Sequence, residues 1–487
     1  MTIKAHGILA PSRSASMPVK WQFKPKHYPH FDAIMSEAQA KALVSNPSSV
    51  ASHKFFPFLF YNQRWTKFSE KGQKGDVKER PIRYSARADS YIFSYYRHLL
   101  SQLYEAELIR SGLQNTVLAY RRVTDASGKG KCNIHFANEA FQSIRELGDC
   151  CAIALDISSF FESLDHSVLK KQWCHLLKSS QLPRDHFRVF KAITSYSVVS
   201  KDELYERLGY IGNKYVSKTG LPIKGYLIDR NKVPTRLCTG AEFREKVAGG
   251  NGDRSLIQRN WKPYGIPQGS PISDLLANFY LLDFDRAVKE KVAALGGEYY
   301  RYSDDILIIA PVSSADACDL EQWVRSEISS HGSKLKIKPE KSAIFHYSVV
   351  TGDQIWKRIV GEQGANGLEY LGFRYDGKSI FLRDSTLSSF HRKTTSSAKR
   401  LAIVLKKKYP TMSPDDILKT INLSKFLQRY GRVKDFEEKA IDVKNWTFWT
   451  YATRAAAIMA PLGLPIYRQL RNYRRIMRSK VKKALDS

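Results

Sequence analysis

Three acidic residues could act together on phosphate chemistry. Asp156 follows the apolar residues 152–155, and Asp304 and Asp305 lie next to each other between two apolar segments. Two adjacent aspartates repel one another unless a cation lies close to both. Carboxylate oxygens are the ligands that Mg²⁺ prefers, and a pair of such ions supports phosphoryl transfer by activating the attacking hydroxyl and stabilising the leaving oxygens.

A buried strand and a hairpin are the elements that must position these aspartates. Residues 152–155 predict a strand that ends at Asp156, and residues 298–302 and 306–310 predict a hairpin whose turn holds the other two. Strand alternation would send Asp304 and Asp305 to opposite faces, but turn geometry can bring both to one side. With Asp156 on an adjacent strand, the three carboxylates would form an oxygen-only cluster.

The rest of the chain predicts a mixture of helices and strands. Helical spacing runs over residues 90–111, from residue 167 onward and over 273–295, whereas residues 200–262 are polar and rich in glycine. A tight turn, Gly265-Ile266-Pro267-Gln268-Gly269-Ser270-Pro271, leads into the helix at 273. Beyond Asp384 the pattern is helical and strongly basic.

The charge of the chain indicates a polyanionic partner. Among 487 residues, 78 are Lys or Arg and 47 are Asp or Glu, which gives a net charge of +31. Residues 387–487 hold 23 basic and 7 acidic residues, about half of this excess. Such an excess favours nucleic acid, because each neutralised phosphate releases a counterion.

Composition also excludes several classes of protein. No apolar run approaches the ~18 residues of a membrane span, so no membrane partner is expected. An aromatic content of 12% excludes a wholly disordered chain. The six cysteines form no C-x-x-C pair and have no histidine at zinc-ligand spacing, which favours unpaired thiols and a cytoplasmic location.

The motifs together resemble those of a reverse transcriptase. Residues 155–161 resemble the first aspartate motif of its palm, residues 265–271 its Pro-Gln-Gly motif, and residues 302–305 its Tyr-x-Asp-Asp box. The resemblance extends over roughly residues 75–380. It includes three further motifs, namely a fingers motif at 78–82, a palm motif at 335–342 and a primer grip at 370–373.

This resemblance implies an α+β fold shaped as a right-hand polymerase, with fingers, an antiparallel-sheet palm and a basic all-helical thumb or C-terminal domain. The implied domains are an N-terminal extension (1–70), fingers (71–148), a palm (149–382) with an inserted segment at about 176–262, and the thumb (383–487). The implied enzyme is an RNA-directed DNA polymerase, a nucleotidyltransferase that needs two Mg²⁺ ions.

The resemblance also implies a role for each matching residue. Asp156, Asp304 and Asp305 would be the catalytic metal ligands, joined by the carbonyl oxygen of Ile157. Phe161 would lie under the sugar and exclude a ribose 2′-hydroxyl, so that deoxynucleotides are chosen. The other substrate-binding residues would be Lys78, Arg80, Gln268 and Lys341, with Lys341 near the leaving pyrophosphate. The primer grip would consist of Tyr302, Leu371, Gly372 and Phe373.

Details of the motifs suggest the subgroup. Residues 156–166 and 275–278 are most similar to group II intron-like bacterial enzymes, but Ser158-Ser159 replaces their usual Lys-Gly. The chain looks most like the defence-associated (unknown-group or abortive-infection) antiviral reverse transcriptases of bacteria. The implied partners are an RNA template (a dedicated non-coding RNA is one possibility), a DNA primer or product, dNTPs, and either a second copy of the chain or an accessory defence protein.

Other functions stay open. A group II intron maturase or a retron reverse transcriptase would carry the same palm. An RNA-templated RNA polymerase shares that palm, although Phe161 argues against it. A scaffold that has lost catalysis would be expected to lack one carboxylate, and all three are present.

Overall fold

The computed structural model describes residues 20–66, 77–215, 222–250, 252–362, 364–430 and 447–487. The strands are β1 (Phe58–Thr66), β2 (Val77–Tyr84), β3 (Cys150–Asp156), β4 (Ser197–Ser200), β5 (Ile211–Tyr215), β6 (Pro222–Tyr226), β7 (Gln258–Arg259), β8 (Glu298–Tyr302), β9 (Asp305–Ala310), β10 (Ala343–Val350), β11 (Asp353–Val360), β12 (Leu368–Tyr370), β13 (Phe373–Tyr375) and β14 (Ile380–Leu382).

The helices surround these strands. They are α1 (Glu37–Ser45), α2 (Pro47–Ser52), α3 (Arg87–Arg110), α4 (Asn133–Leu147), α5 (Phe160–Ser163), α6 (His166–Leu177), α7 (Arg184–Thr194), α8 (Lys201–Arg207), α9 (Gly240–Glu242), α10 (Ser273–Tyr280), α11 (Leu282–Ala294), α12 (Ser314–Ser330), α13 (Asp384–Lys408), α14 (Pro414–Thr420), α15 (Ser424–Tyr430), α16 (Phe448–Ile458), α17 (Pro465–Gln469) and α18 (Tyr473–Asp486).

A five-stranded antiparallel sheet forms the centre of the fold, in the order β11-β10-β3-β9-β8. Side chains alternate between its two faces along β3 and β9. Ile153 and Ile306 pack into the core shared with α3, α6, α10, α11 and α12, whereas Ala152 and Leu307 pack into the core shared with α4, α16 and the β12–β14 sheet. The predicted combination of helices with an antiparallel sheet is therefore confirmed.

The predicted strand and hairpin occur at the expected residues, and one predicted helix is divided. The pattern at 273–295 predicts a single helix, but the chain turns at Leu281 between α10 and α11. The amide of Leu281 bonds the carbonyl of Asn278, three residues back, because its backbone angles (φ −88°, ψ 15°) tighten the helix at that point.

A second sheet pairs strands that lie far apart in the sequence. Its order is β2-β1-β4-β7; β1 and β4 are parallel and the other pairs are antiparallel. Phe31, Leu59, Val199 and Leu237 lie in one core beside it. The expected extension (1–70) and inserted segment (176–262) thus contribute to one unit with β2, across two of the predicted boundaries.

The described residues after β14, 383–430 and 447–487, are mainly helical, as the pattern predicts. Helix α13 lies against α18, with Ala398 and Ala402 packed in one core with Val481 and Leu485. Among the helices that the structure describes, none is long and apolar enough to cross a membrane.

Candidate active site

The turn between β8 and β9 carries two of the three aspartates. Tyr302 pairs with Asp305 across the hairpin, so the turn consists of Ser303 and Asp304 alone. Ser303 has φ +62°. A positive φ at the first central residue only is the geometry of a type II′ turn, whose twist suits a two-residue hairpin.

The third aspartate lies directly beside this turn. Asp156 ends β3 in register with Asp305, the first residue of β9. The amide of Ile157, the buried residue that follows Asp156, donates a hydrogen bond of 3.0 Å to the carbonyl oxygen of Asp304. The structure therefore brings the three predicted aspartates and Ile157 to one edge of the central sheet.

Two lysines bind the Asp156 carboxylate. The Lys338 ammonium lies 2.9 Å from one carboxylate oxygen and the Lys341 ammonium lies 2.5 Å from the other. Asp156 keeps only 7% of its surface exposed. The predicted substrate residue Lys341 is thus in the site, where it contacts a carboxylate.

The charges on the hairpin side repel one another. The pKa of Asp305 is raised to about 7, first by partial desolvation and then by the nearby carboxylates of Asp304 and Asp156. Lys341 and Arg383 oppose this shift. Because Asp305 remains open to solvent, part of the repulsion is screened.

A cavity of about 360 Å³ opens beside Asp156 and Asp305. Its opposite wall includes Glu369 and Arg383, whose side chains approach to 3.6 Å. Glu369 is therefore a further acidic group in the cavity lining, and its burial raises its pKa.

The carboxylates of Asp156, Asp304 and Asp305 are chemically suitable ligands for a divalent cation. They are hard oxygen donors, and the carboxylates of Asp304 and Asp156 lie close enough to Asp305 to add to the effect of burial on its pKa. Two ammonium groups already neutralise Asp156. Within the described ranges, however, no group of three or more His, Cys, Asp or Glu residues is arranged as a metal-binding cluster.

The predicted nucleotide-binding residues Arg80 and Gln268 are neighbours. The Arg80 Nε donates to the Gln268 side-chain oxygen at 3.2 Å, and the amide of Arg83 donates to the Gln268 carbonyl at 2.9 Å. Gly269 has φ +109°, and a Cβ there would lie 2.5 Å from the Arg83 carbonyl oxygen. Only glycine lets strand β2 approach this turn so closely.

Phe161 belongs to the same wall of the site. Its carbonyl accepts a hydrogen bond of 2.8 Å from the amide of Ile266 in the Pro-Gln-Gly turn, and its partly buried ring lies 5.8 Å from the ring of Phe160. The backbone of Lys78 pairs within the β1–β2 hairpin, but its predicted substrate-binding side chain lies outside the described part of the structure.

The predicted primer grip is a tight turn between β12 and β13. Leu371 (φ +47°) and Gly372 (φ +94°) form it, and the Leu371 carbonyl accepts from Asn133 at 3.0 Å. Phe373 is fully buried and stacks on Tyr451, so its ring anchors the turn in the protein core. Tyr302 is partly buried, at the end of β8.

Comparison with known proteins identifies the segment that holds the hairpin. Residues 247–375 match the family described as Reverse transcriptase (RNA-dependent DNA polymerase). This segment is a reverse transcriptase domain. The match indicates RNA-directed DNA polymerase activity, as the motifs predict, and it includes Gln268, Asp304, Asp305 and Lys341; Asp156 lies before it.

No curated protein matches the chain in sequence. Similar solved structures include apo telomerase from Candida tropicalis (TM-score 0.35, 12% identity, 95% of this chain and 70% of that chain covered). A form of it truncated from the C-terminal domain (0.34, 10%, 74% and 63%) and telomerase from Candida albicans with a TWJ fragment of telomeric RNA (0.34, 12%, 93% and 66%) are also similar. TM-scores this low assign no function to the chain.

Sequence reasoning missed several residues that surround the aspartates. Lys338 precedes Lys341 by three residues, which is one turn of the 3₁₀ helix Pro339–Lys341. This spacing could have indicated that both lysines form ion pairs with Asp156. Arg383 and Glu369 lie in the cavity wall without any motif to mark them. Arg301, directly before Tyr302, is fully buried and donates to the Ser303 carbonyl at 3.2 Å.

Proposed function

We propose that this protein is a reverse transcriptase that adds dNTPs to a 3′-hydroxyl by two-metal phosphoryl transfer on an RNA template. The observation that carries the proposal is the register of β3 and β9, which sets Asp156 beside Asp305 and the Asp304 turn. The reverse transcriptase domain found over residues 247–375 supplies the hairpin and the Pro-Gln-Gly turn.

The arrangement of the sheets and helices supports a right-hand polymerase. The five-stranded sheet corresponds to the palm, the β2-β1-β4-β7 sheet that contacts Gln268 through β2 corresponds to the fingers, and the basic helices after Asp384 correspond to the thumb. In this assignment the nucleotide enters between the sheet of Arg80 and the hairpin of Asp304.

The reaction transfers a nucleotidyl group. The primer 3′-oxygen bonds to the α-phosphorus, the bond from that phosphorus to the bridging oxygen of the β-phosphate breaks, pyrophosphate leaves and the hydroxyl proton passes to solvent. Two Mg²⁺ ions held by Asp156, Asp304, Asp305 and the Ile157 carbonyl would activate the hydroxyl and neutralise the departing phosphates when bound.

The chain's own residues would bind and select the substrate. Arg80, positioned by Gln268, would bind the triphosphate, because a guanidinium can meet several phosphate oxygens at once. Lys341 would offset the charge that develops on pyrophosphate. Phe161, fixed through its carbonyl to Ile266, would exclude the 2′-hydroxyl of a ribonucleotide.

A primer-extension assay tests this function. Purified protein should incorporate labelled dNTPs on an RNA template annealed to a DNA primer, and Asp304→Asn should abolish incorporation while RNA binding is retained. The matched control is Asp319→Asn, an exposed residue of α12. Incorporation by Asp304→Asn at the wild-type rate would refute the metal assignment.

We further propose a cytoplasmic role in bacterial antiphage defence, with a dedicated non-coding RNA as the template. The support is the likeness of the motifs to those of defence-associated enzymes and the net +16 of residues 387–487, which suits a firmly held RNA. Sequencing the RNA and DNA that copurify with the protein tests this. Intron RNA would identify a maturase, and DNA joined to its own RNA template would identify a retron.

A further inference from the structure

A second cavity lies within the β2-β1-β4-β7 unit and shares no lining residue with the aspartate cavity. Its volume is about 790 Å³, within the range of ligand-binding pockets. Five tyrosines line it, and we call it the tyrosine pocket: Tyr28, Tyr61, Tyr84, Tyr205 and Tyr226.

The rings of the tyrosine pocket are arranged at steep angles around an open space. Tyr28 meets Tyr84 edge to face at 5.6 Å, and Tyr205 meets Tyr226 edge to face at 6.4 Å. Tyr61 keeps 38% of its surface exposed. Because these rings line an open cavity, a planar group that enters the pocket can make aromatic contacts with them.

Two cations lie against these rings. The Lys201 ammonium is 5.6 Å from the centre of the Tyr61 ring and 5.1 Å from that of Tyr205, and the Arg230 guanidinium is 5.5 Å from that of Tyr226. In the part of the chain that the structure describes, neither cation lies within ion-pair distance of a carboxylate. Burial lowers the pKa of Lys201, and repulsion by Arg230 lowers it further, whereas the nearby Asp202 carboxylate opposes this shift.

The combination of aromatic rings with two cations that form no ion pair among the described residues selects a class of ligand. An apolar ligand would leave the cations unpaired, and a simple anion would leave the rings unused. A nucleotide satisfies both, because its base stacks on aromatic rings and its phosphate binds basic side chains. The amides of Asn62 and Asn231 and the carboxylate of Asp202 line the same pocket and offer hydrogen bonds to a base or ribose.

We propose that the tyrosine pocket binds an unpaired nucleotide, with its base among the tyrosine rings and its phosphate between Lys201 and Arg230. The nucleotide can be free or part of a single RNA strand, since both present the same chemistry. This site would be additional to the polymerase site, and through it the β2-β1-β4-β7 unit would bind nucleic acid independently.

Binding measurements on full-length protein test the proposal. The protein is first saturated with an unlabelled template–primer duplex, so that the polymerase cleft is filled. Fluorescent single-stranded RNA of ten nucleotides and, separately, AMP, GMP, CMP and UMP are then titrated. The pocket variants are Tyr61→Ala and the double variant Lys201→Glu/Arg230→Glu. Their controls are Tyr215→Ala, an exposed tyrosine outside the pocket, and Lys214→Glu.

The expected result is binding that the pocket variants weaken about tenfold or more while the controls leave it unchanged. Replacing both cations should also reduce the slope of log affinity against log salt concentration by about 0.7, the contribution of the one phosphate that they would neutralise on a single strand. Binding of a mononucleotide would identify a free ligand, and binding of the decamer alone would identify an RNA strand.

Equal affinity of wild-type protein and the pocket variants, or binding of neither probe, would overturn the proposal. Circular dichroism confirms that each variant is folded, and cross-linking of 4-thiouridine RNA to wild-type protein should label the peptides of Tyr61 or Tyr205. Primer extension by the pocket variants should match wild type. The two functions can therefore fail independently.

Discussion

Replacement of Arg301 should destabilise the hairpin that carries the paired aspartates. Its guanidinium is fully buried and lies 2.6 Å from each carboxylate oxygen of Asp285. It also donates to the carbonyls of Asn278 and Ser303, both at 3.2 Å. One side chain thus ties the turn before Asp304 to the junction of α10 and α11.

The expected loss of unfolding free energy follows from the Asp285 carboxylate, which stays buried when Arg301 is replaced. In Arg301→Met, Asp285 keeps the hydroxyl of Tyr299 at 2.8 Å but loses its cation. Removing one partner of a buried ion pair costs about 3–5 kcal/mol, because the other charge stays desolvated. The double variant Arg301→Met/Asp285→Leu removes both charges and should recover most of this loss.

Urea unfolding of the three proteins measures these free energies. Lys378→Met is the matched control, since Lys378 pairs with Asp353 on the surface and such pairs contribute about 0–1 kcal/mol. A loss below about 1 kcal/mol in Arg301→Met, or a double variant no more stable than the single one, would refute this account of the network.

Three further predictions concern the site itself. Phe161→Ala should reduce the preference for dNTPs over rNTPs by about tenfold or more, measured as a ratio of kcat/KM values, and unchanged discrimination would show that Phe161 does not select the sugar. Gly269→Ala should lower polymerase activity, because the new Cβ would lie 2.5 Å from the Arg83 carbonyl oxygen. Gly112→Ala is the control: Gly112 also has a positive φ (+68°), but no atom lies within 4 Å of its new Cβ, so this variant tests backbone strain without a clash and should retain activity. The raised pKa of Asp305 means that metal-free folded protein holds a proton that the unfolded chain releases between about pH 4 and pH 7, so stability should fall as the pH rises through this window. After allowance for solvent screening, Asp305→Asn should reduce the fall in unfolding free energy between pH 5 and pH 8 by about 1 kcal/mol, measured by urea unfolding. An unchanged pH dependence would contradict a raised pKa of Asp305.

The elements nearest the chemistry could be predicted because their signals are local. Alternation and apolar runs mark β3, β8 and β9, and a two-residue turn fixes where Asp304 and Asp305 lie. The contact between Asp156 and Asp305 depends on strand order, which no local pattern records. It followed only from the resemblance to a known palm.

The remaining features depend on contacts between distant parts of the chain. The pairing of β1 with β4 joins residues 58–60 to 198–200, and a linear pattern cannot show which strands will meet. Arg301 and Lys338 look like ordinary charged residues in the sequence, and only the fold shows that they bind Asp285 and Asp156. Phe373 belongs to the predicted primer-grip turn, and only the fold shows that its ring is buried against Tyr451.

Iron-directed cleavage tests whether Asp156, Asp304 and Asp305 share bound divalent cations. Fe²⁺ replaces Mg²⁺ in many such sites, and with ascorbate and peroxide it cuts the backbone beside the bound ion. The account predicts two cuts in wild-type protein, one near residue 156 and one near residues 304–305, that excess Mg²⁺ suppresses and that Asp305→Asn lacks. Cleavage at only one of the two positions, or at neither, would contradict it.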